Sequence, residues 1–374
     1  MSLDVFVNEH PARTAVQEFL EQHPSPTGRE LAEAGYVVPH WPRPYGLDAD
    51  PRAQLIIDEE LREAGVRRPV NPIGIGWAGP TLLAGGSFEQ QQRYLPRLLS
   101  GEDFWCQLFS EPDAGSDLSA LRTTAVQDGE EFIVNGSKIW TSYGHIARYG
   151  ILLARTDAQV EKHQGISYFV CPMDLPGITI RPLVDMTGDH AFNEVFFQDV
   201  RIPANCLVGE LHRGWELAKV TLMNERVSLS GEGALWGRGP TVSDLLGLVK
   251  SDPRPLSPAL RRRVVDVVIE ARVLAMLRER LVGTVLAGRQ VGPEASIRKA
   301  LADEHGQHVM ELAVDLAGPA GQLRGFGPHG DRESDALGWS HGFLYSQALT
   351  IGGGTKAVQR NIIAERILGL PRDA

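Results

Sequence analysis

The sequence predicts an α+β protein in three zones. These are an N-terminal helical domain over residues 1–103, a middle antiparallel β domain over 104–209, and a C-terminal four-helix bundle over 210–374. Two observations carry the prediction. Apolar residues recur with helical spacing in the outer zones but alternate with period two from about Phe104 to Gly209. In that middle zone short apolar runs follow one another without intervening helices, the pattern of an antiparallel barrel or sandwich and not of a strand–helix–strand unit. A chain of 374 residues accommodates this plan, at ~100–200 residues per domain.

Taken in order, the first zone reads as short helices punctuated by proline and glycine. Helices are expected near Arg52–Ala64 and Phe88–Leu99, where Leu95, Leu98 and Leu99 build one apolar face. Pro39 to Gly46, with three prolines and two aromatics, reads as a loop. In the middle zone Asp128-Gly129 and Asn135-Gly136 read as hairpin turns, with Phe132–Val134 alternating between them and Ile139-Trp140 following. Ile151–Ala154, Ile166–Val170, Ile178–Ile180 and Val195–Phe197 are the further strand candidates. Beyond Gly209, Trp215–Leu235, Leu260–Leu286, Pro293–Leu316 and Phe343–Leu368 have the length and period of bundle helices, the last broken by Gly352-Gly353-Gly354. No internal repeat of 20–50 residues is seen.

Composition excludes several classes of function. With 37 basic against 47 acidic side chains the net charge is −10, which argues against a nucleic-acid-binding protein. No apolar run reaches the ~18 residues of a membrane span. Met1–His10 carries Asp4 and Glu9 without the basic flank of a secretory signal. Cys106, Cys171 and Cys206 form no C-x-x-C pair, which fits a reducing compartment and gives neither a disulfide framework nor a zinc site. The expected location is cytoplasmic, and no metal is expected. His305 and His308, beside Asp303 and Glu304, read as a solvated helix face. The two G-x-G-x-x-G strings, Gly74–Gly79 and Gly325–Gly330, lack a preceding strand and read as loops. Arg261-Arg262-Arg263 opens an amphipathic helix, where a solvated face or a subunit contact explains it as well as a phosphate site. No G-x-S-x-G elbow supports a hydrolase triad.

Three segments carry chemistry. Leu108-Phe109-Ser110-Glu111-Pro112-Asp113-Ala114-Gly115-Ser116-Asp117 joins the helical and β zones through a tight, polar-lined turn. It can present N–H donors to an anionic or heteroaromatic ligand, or serve only as an interdomain turn. Gly136-Ser137-Lys138-Ile139-Trp140-Thr141-Ser142 ends in an indole with two hydroxyls, able to cover a flat ring and bond its edge, or equally a core tryptophan at a strand end. Ile351-Gly352-Gly353-Gly354-Thr355-Lys356 places glycines and a threonine before a helical run, an anion-tolerant helix start without the G-K-[ST] of a P-loop.

Together these segments resemble the acyl-CoA dehydrogenase family. Glu111–Asp117 matches its E-P-x-A-G-S-D signature, and Asn135–Ser142 is similar to its flavin-covering strand. Glu194–Phe197 with Val200–Pro203 resembles the end of its β domain, and Gln359–Asn361 through Glu365–Gly369 its C-terminal helix. The resemblance implies FAD, an acyl-CoA thioester, and trans α,β-desaturation with electrons passed to an electron-transfer flavoprotein-like acceptor. It assigns Ser142 and Trp140, with Thr141 between them, to the flavin ring. The backbone of Leu108, Phe109 and Ser110 goes to the pyrimidine edge, and Thr355 to the ring from the C-terminal side. Gly115 and Ser116 are assigned to the phosphates or pantetheine arm. Ser116, Arg226, Gly353 and Gly354 are assigned to the substrate.

The usual family base precedes the Gly-Thr that corresponds to Gly354-Thr355, where this chain has Gly353. A branch resembling isovaleryl-CoA and long-chain acyl-CoA dehydrogenases supplies the base from an earlier helix, here Met223-Asn224-Glu225-Arg226-Val227. Helix geometry supports the choice. Ala218, Leu222, Glu225 and Leu229 form one stripe, so Glu225 is a carboxylate set among apolar residues, where desolvation raises its pKa towards general-base range. Arg226 points about 100° away. The alternative is a structural Glu, exposed or paired with Arg. The resemblance gives carbonyl polarisation to the backbone N–H of Gly353, which needs no side chain. Two family elements that reach a neighbouring subunit's FAD are altered here, to Trp236-Gly237-Arg238-Gly239-Pro240 and Asp315-Leu316-Ala317-Gly318-Pro319. The chain is thus expected to act in a homo- or hetero-oligomer, a dimer or tetramer. A flavin oxidase or monooxygenase on the same fold, and a subunit of a heteromeric acyl-CoA dehydrogenase, remain as alternatives.

Overall fold

The computed structural model describes residues 10–228, 235, 239–251, 255–286, 292–323 and 338–371. Two compact units divide the chain: Met1–Leu183 with His190–Asn224, and Val184–Asp189 with Glu225–Ala374.

The first unit begins with helices α1 (Pro11–Gln22), α2 (Gly28–Glu33), α3 (Pro51–Glu63), α4 (Gly79–Gly85) and α5 (Phe88–Ser100). Local chemistry sets their ends. The Asp50 carboxylate accepts from the Ala53 N–H and Pro51 opens α3, while Ser87 and Gln90 form a reciprocal capping box at α5. Gly101, at φ 78°, closes α5 in the left-handed region. Both expected helices lie within a residue of their predicted bounds, with Leu95, Leu98 and Leu99 buried beside Tyr94. Pro39–Gly46 is turn structure, as expected. Gly74–Gly79 is a correction: a π-helical turn over Gly74–Ala78 runs straight into α4. Its glycines answer to packing, because a Cβ on Gly79 would enter the Trp41 ring and one on Gly74 the Asn71 side chain. The second such string, Gly325–Gly330, lies outside the described residues.

Eight strands follow: β1 (Trp105–Leu108), β2 (Thr124–Asp128), β3 (Glu131–Ser142), β4 (Tyr149–Arg155), β5 (Ile166–Pro172), β6 (Ile178–Leu183), β7 (Phe192–Pro203) and β8 (Leu207–Val208). They make one sheet in the order β6-β7-β3-β2-β4-β5-β8, with β1 beside β4. All four further strand candidates fall inside β4 to β7. The sheet is not wholly antiparallel: β1 pairs β4 in parallel, and β2 meets β4 in parallel at Thr124 and Arg155. The β2–β3 hairpin between β1 and β4 supplies the long crossover that a parallel pair requires. Asn135-Gly136 is also corrected. It forms no hairpin turn but sits inside β3, as a register shift against β7. Asn135 Oδ1 accepts from the Asp199 N–H at 2.9 Å and its Nδ2 donates to the Asp199 carboxylate at 3.0 Å, so the turn-forming side chain is spent across the strands. The hairpin turn is at Gly129, one residue after Asp128.

β4 and β5 are buried on both faces. Ile151, Leu153, Tyr168 and Val170 join the helical core, while Leu152, Ala154, Phe169 and Cys171 join the core of the sheet. Strand alternation thus distributes a continuous apolar run between two cores. All three cysteines are buried and free.

Helix α6 (Gly214–Ser228) leads out of the first unit, and α7 (Val242–Ser251), α8 (Pro258–Leu286), α9 (Ala295–Ala317), α10 (Trp339–Ser346) and α11 (Lys356–Ile362) follow. In the second unit α9 packs against α7, α8, α10 and α11. Its core holds Leu245, Val264, Val267, Val309, Met310, Leu312, Ala313 and Trp339. Three readings change here. Phe343–Leu368 is two helices, α10 and α11, separated by turns through Gly352–Gly354 and extended by a π-helical turn at Ile363–Ile367. Helix α7 was not expected at all. The final residues of the expected Trp215–Leu235 helix, 229–234, lie outside the described residues. Of the pair expected on a solvated face, His308 is exposed but His305 is buried. Both ring Nδ1 atoms contact Glu270 on α8, at 3.0 and 2.8 Å, and burial lowers the His305 pKa. No group of His, Cys, Asp and Glu arranged to hold a metal ion occurs among the described residues. Among them too, no helix is long and apolar enough to cross a membrane.

Candidate functional site

In the first unit the structure joins the first two chemistry-bearing segments. The chain leaves β1 at Leu108 and runs beside β3, where the Ile139 N–H donates to the Ser110 carbonyl at 2.9 Å. Lys138 Nζ, fully buried, donates to the Phe109 carbonyl at 3.0 Å and to Glu111 Oε1 at 2.8 Å. Glu111 also accepts from the backbone N–H groups of Arg122 (2.6 Å) and Thr123 (2.9 Å). One carboxylate therefore ties the start of the E-P-x-A-G-S-D turn to its far side, while Glu111 and Ala114 exchange both backbone bonds at 3.1 Å. Burial pushes the Lys138 ammonium down to about 8 against the pull of Glu111. Burial alone would raise the Glu111 carboxyl, but the Lys138 charge and the donated hydrogen bonds outweigh it and hold it below the usual carboxylate range.

Leu108 and Phe109 are buried, and the Phe109 and Ser110 carbonyls are bonded to β3, so this stretch is fixed against the sheet. Gly115 and Ser116 are exposed, and a Cβ at Gly115 would meet nothing within 4 Å. Ser119 and Lys162 hold Asp117 at 2.6 and 2.8 Å, bracing the end of the turn.

At the other end of β3 a second register shift against β7, between Lys138 and Thr141, turns Trp140 out of the sheet. Trp140 has φ 60° and is 58 % exposed, its ring edge-on to Phe192 at 5.8 Å. Thr141 is fully buried with its Oγ1 lacking a hydrogen-bond partner, and its carbonyl accepts from Asn193 Nδ2 at 3.0 Å. Ser142 follows, half-buried. An exposed indole with hydroxyls beside it, next to a stretch of chain fixed against β3, suits a flat heteroaromatic ring with a polar edge, so these residues fit a flavin.

Glu225, on α6, is 8 % exposed. On its stripe Ala218 is fully buried and Leu222 packs on the helical core, in keeping with the apolar surroundings read from the sequence. Leu229 and the Arg226 side chain lie outside the described residues. One turn before Glu225, three hydroxyls anchor α6. Tyr168 contacts Thr221 at 3.0 Å, Thr221 contacts Thr81 at 2.8 Å, and Thr81 donates to the Trp77 carbonyl at 2.8 Å. Thr221 Oγ1 also reaches the Leu217 carbonyl at 3.1 Å, so the three hydroxyls share two carbonyl acceptors.

In the second unit Gly353 and Gly354 have φ 66° and 93°. Thr355 caps α11, accepting from the Val358 N–H at 3.3 Å. The expected helix start is present: α11 and the π-helical turn at Ile363–Ile367 continue from Thr355 without a break. Gln359 Nε2 donates to the carbonyls of Gly353 (3.0 Å) and Gly354 (3.1 Å). Lys299, buried with Asp303 at 2.6 Å, also reaches the Leu349 carbonyl just before the turn, at 3.3 Å. Within Asp315–Pro319, Asp315 pairs with Arg263 of α8 and Gly318 opens a 3-10 turn. Residues 236–238 lie outside the described residues.

Sequence reasoning assigned no role to Lys138, Thr221 or Gln359. Lys138 had a signal: a lysine at an inward position of an alternating strand demands an acidic partner. Gln359 falls one helical turn after Thr355. Thr221 carries no such mark.

Comparison with known proteins is consistent along the whole chain. Family models described as the N-terminal, middle and C-terminal domains of acyl-CoA dehydrogenase match residues 2–102, 106–200 and 212–368. Over 342 residues the chain is 42 % identical to acyl-CoA dehydrogenase FadE34 of Mycobacterium tuberculosis, covering 91 % of this chain and 46 % of that one. It thus spans about half the length of that relative. It is 38 % identical over 350 residues to acyl-CoA dehydrogenase IpdE1 of the same organism, covering 92 % and 88 %. Among solved structures, one titled Tcur3481-Tcur3483 steroid ACAD superposes with a TM-score of 0.78 at 30 % identity, covering 97 % of this chain and 94 % of that one. The chain belongs to the acyl-CoA dehydrogenase family, a family of oxidoreductases that generally binds FAD.

Proposed function

We propose that this chain works as an acyl-CoA dehydrogenase, desaturating an acyl-CoA thioester between Cα and Cβ with Glu225 as the base. The observation that carries the reading is a carboxylate on α6 that is 8 % exposed, on a stripe with Ala218 and Leu222, in a chain whose loop position before Gly354 is glycine. Bound FAD would supply the hydride acceptor. The residues that would hold it are the Leu108–Ser110 backbone, Trp140, Thr141, Ser142 and Thr355, with Gly115 and Ser116 towards its phosphates or the substrate arm. Glu225 removes the α-proton as general base. A backbone N–H at Gly353 takes the thioester carbonyl, stabilising the charge that develops as the proton leaves. Electrons then pass to a flavoprotein acceptor.

Glu225→Gln tests this directly. The variant should bind FAD normally but lose anaerobic flavin bleaching by acyl-CoA, by at least the ~10²–10⁴-fold that a general base contributes. Unchanged bleaching would exclude Glu225 as the base. The structurally similar protein is titled a steroid ACAD, which places ring-bearing CoA thioesters first in the panel, beside short, branched and long acyl groups.

A second reading, a subunit of a heteromeric acyl-CoA dehydrogenase, is favoured by Asp315. In the altered segment this residue is engaged with Arg263 of its own chain. The similar structure is also titled as a pair, Tcur3481-Tcur3483. A colourless protein that turns yellow only with a second chain would support this reading, and a yellow, bleachable homo-oligomer would exclude it.

A further inference from the structure

We propose that Gln359 is the positioning residue of the glycine turn, fixing its peptide planes so that unpaired backbone N–H groups are held ready for the acyl carbonyl. The inference rests on the reading above for the identity of the ligand and adds to the Gly353 N–H two further donors, the N–H groups of Gly354 and Thr355, whose peptide planes Gln359 holds. Its geometric basis is independent of that reading.

Three observations carry it. The Gln359 side chain is fully buried, and its Nε2 donates to two successive carbonyls, Gly353 at 3.0 Å and Gly354 at 3.1 Å. In a trans peptide the N–H lies opposite the C=O. Holding those carbonyls towards Gln359 therefore turns the N–H groups of Gly354 and Thr355 away from it. Second, among the described residues the N–H groups of Gly353, Gly354 and Thr355 have no hydrogen-bond acceptor, although the preceding Ile351 and Gly352 both bond to the Ala348 carbonyl. Third, Gln359 and the glycines fit one another. A Cβ on Gly354 would stand 2.7 Å from Gln359 Nε2, so only glycine lets the amide in.

A clamp is needed here for a physical reason. Gly353 and Gly354, at φ 66° and 93°, have no side chain to restrict them, and either peptide could rotate and carry its N–H out of position. One neutral amide with two bonds removes both freedoms. It also places no charge beside a site where charge must develop on the substrate. The Gln359 Oε1 is buried without a partner, so the grip is made wholly by the donor end of the amide. The side chain is thus sensitive to exchange of donor for acceptor.

That sensitivity supplies the test. Gln359→Leu and Gln359→Glu are prepared as holoenzyme, with the second chain where FAD binding needs it. Each is studied with cyclohex-1-ene-1-carbonyl-CoA, an enoyl thioester of the product type, labelled with ¹³C at the carbonyl. The readouts are its carbonyl stretch by difference infrared spectroscopy and the pH profile of turnover with the saturated thioester. Wild type should shift the bound carbonyl to lower frequency. Gln359→Leu should lose most of that shift at every pH, and kcat/KM should fall about 10²-fold, as for a group displaced by about an ångström. FAD content and Tm should stay near wild type. Gln359→Glu should match Gln359→Leu at high pH, where an ionised carboxylate has no proton to donate and repels both carbonyls. It should recover carbonyl shift and turnover as the pH falls through the raised pKa of the buried carboxyl, because the acid form donates again.

A wild-type carbonyl shift in Gln359→Leu would overturn the proposal, as would identical pH profiles for the two variants. Glu225→Gln separates this inference from the base assignment, because it should keep the carbonyl shift whether or not it loses turnover. If the wild-type holoenzyme binds none of the probe, the spectra are taken with the thioester that bleaches it, and absence of any carbonyl shift there overturns the donor role.

Discussion

The E-P-x-A-G-S-D turn of the first unit and the glycine turn of the second are held with opposite chemistry. Each is fixed by a buried side chain that grips carbonyl oxygens. In the first unit the grip is charged. Lys138 holds the Phe109 carbonyl while paired with Glu111, which in turn caps two N–H groups across the turn. In the second unit the grip on the turn itself is neutral, one glutamine amide on two glycine carbonyls. The difference follows from the neighbours. The sheet surrounds Lys138 and Glu111 with enough fixed donors and acceptors to satisfy both charges, so an ion pair can be buried there without an orphan. The glycine turn has few such neighbours, and a net charge would compete with the substrate for its N–H groups.

The comparison makes graded predictions. Glu111→Gln should have the largest effect on stability. It leaves the Lys138 ammonium buried without its countercharge, so the protein should lose about 3–5 kcal/mol in denaturant unfolding. Replacing both partners, as Glu111→Leu with Lys138→Met, should cost less than the single change. A double variant weaker than the single would show that the cost lies in the lost caps and not in the stranded charge. pH sharpens this further. The Glu111 carboxyl is depressed in the folded protein, so its contribution is complete above its unfolded value near 4.5 and fades as pH falls through the folded value. The Tm gap between wild type and Glu111→Gln should therefore narrow in acid below pH ~4.5, and a constant gap would refute the assigned charge state.

Tyr168→Phe should be milder, about 1 kcal/mol for one hydroxyl contact. It loosens α6 one turn before Glu225, so turnover should fall by more than the stability change alone explains. Equal loss at a saturating and a subsaturating substrate concentration would support a lost alignment of Glu225. The smallest effect is expected from Thr355→Ala, which removes a single cap from a seven-residue helix and should cost about 1 kcal/mol. A change in Tm beyond a few degrees would mean that the turn depends on Thr355 more than on Gln359.

Much of this architecture was open to reading because it is local. Asp50 with Pro51, and Ser87 with Gln90, mark helix starts whose chemistry is complete within four residues. The apolar runs of β4 and β5 gave strands for the same reason. The misreadings share a cause as well. Asn135-Gly136 looks like a hairpin turn until Asp199, distant in sequence, takes up its side chain. Gly74–Gly79 looks like a loop until Trp41 fills the space where a Cβ would be. His305 looks solvated until burial beside Glu270 of another helix takes it up. In each case the deciding partner is far along the chain, and a periodicity cannot contain it.

By itself the sequence determined the family plan, the order of helical and β zones, and which polar residues stand in the segments proposed to meet a flavin and an α-proton. Those depend on spacing, turn chemistry and alternation, all written in neighbouring residues. Tertiary structure alone decided which of those groups are held still. The burial of Lys138 against Glu111 and the hydroxyl chain behind α6 depend on contacts between separate elements, while the Gln359 amide reaches Gly354 only five residues back. A hydrogen bond takes its worth from what else can reach the same atom, and only the folded chain fixes that.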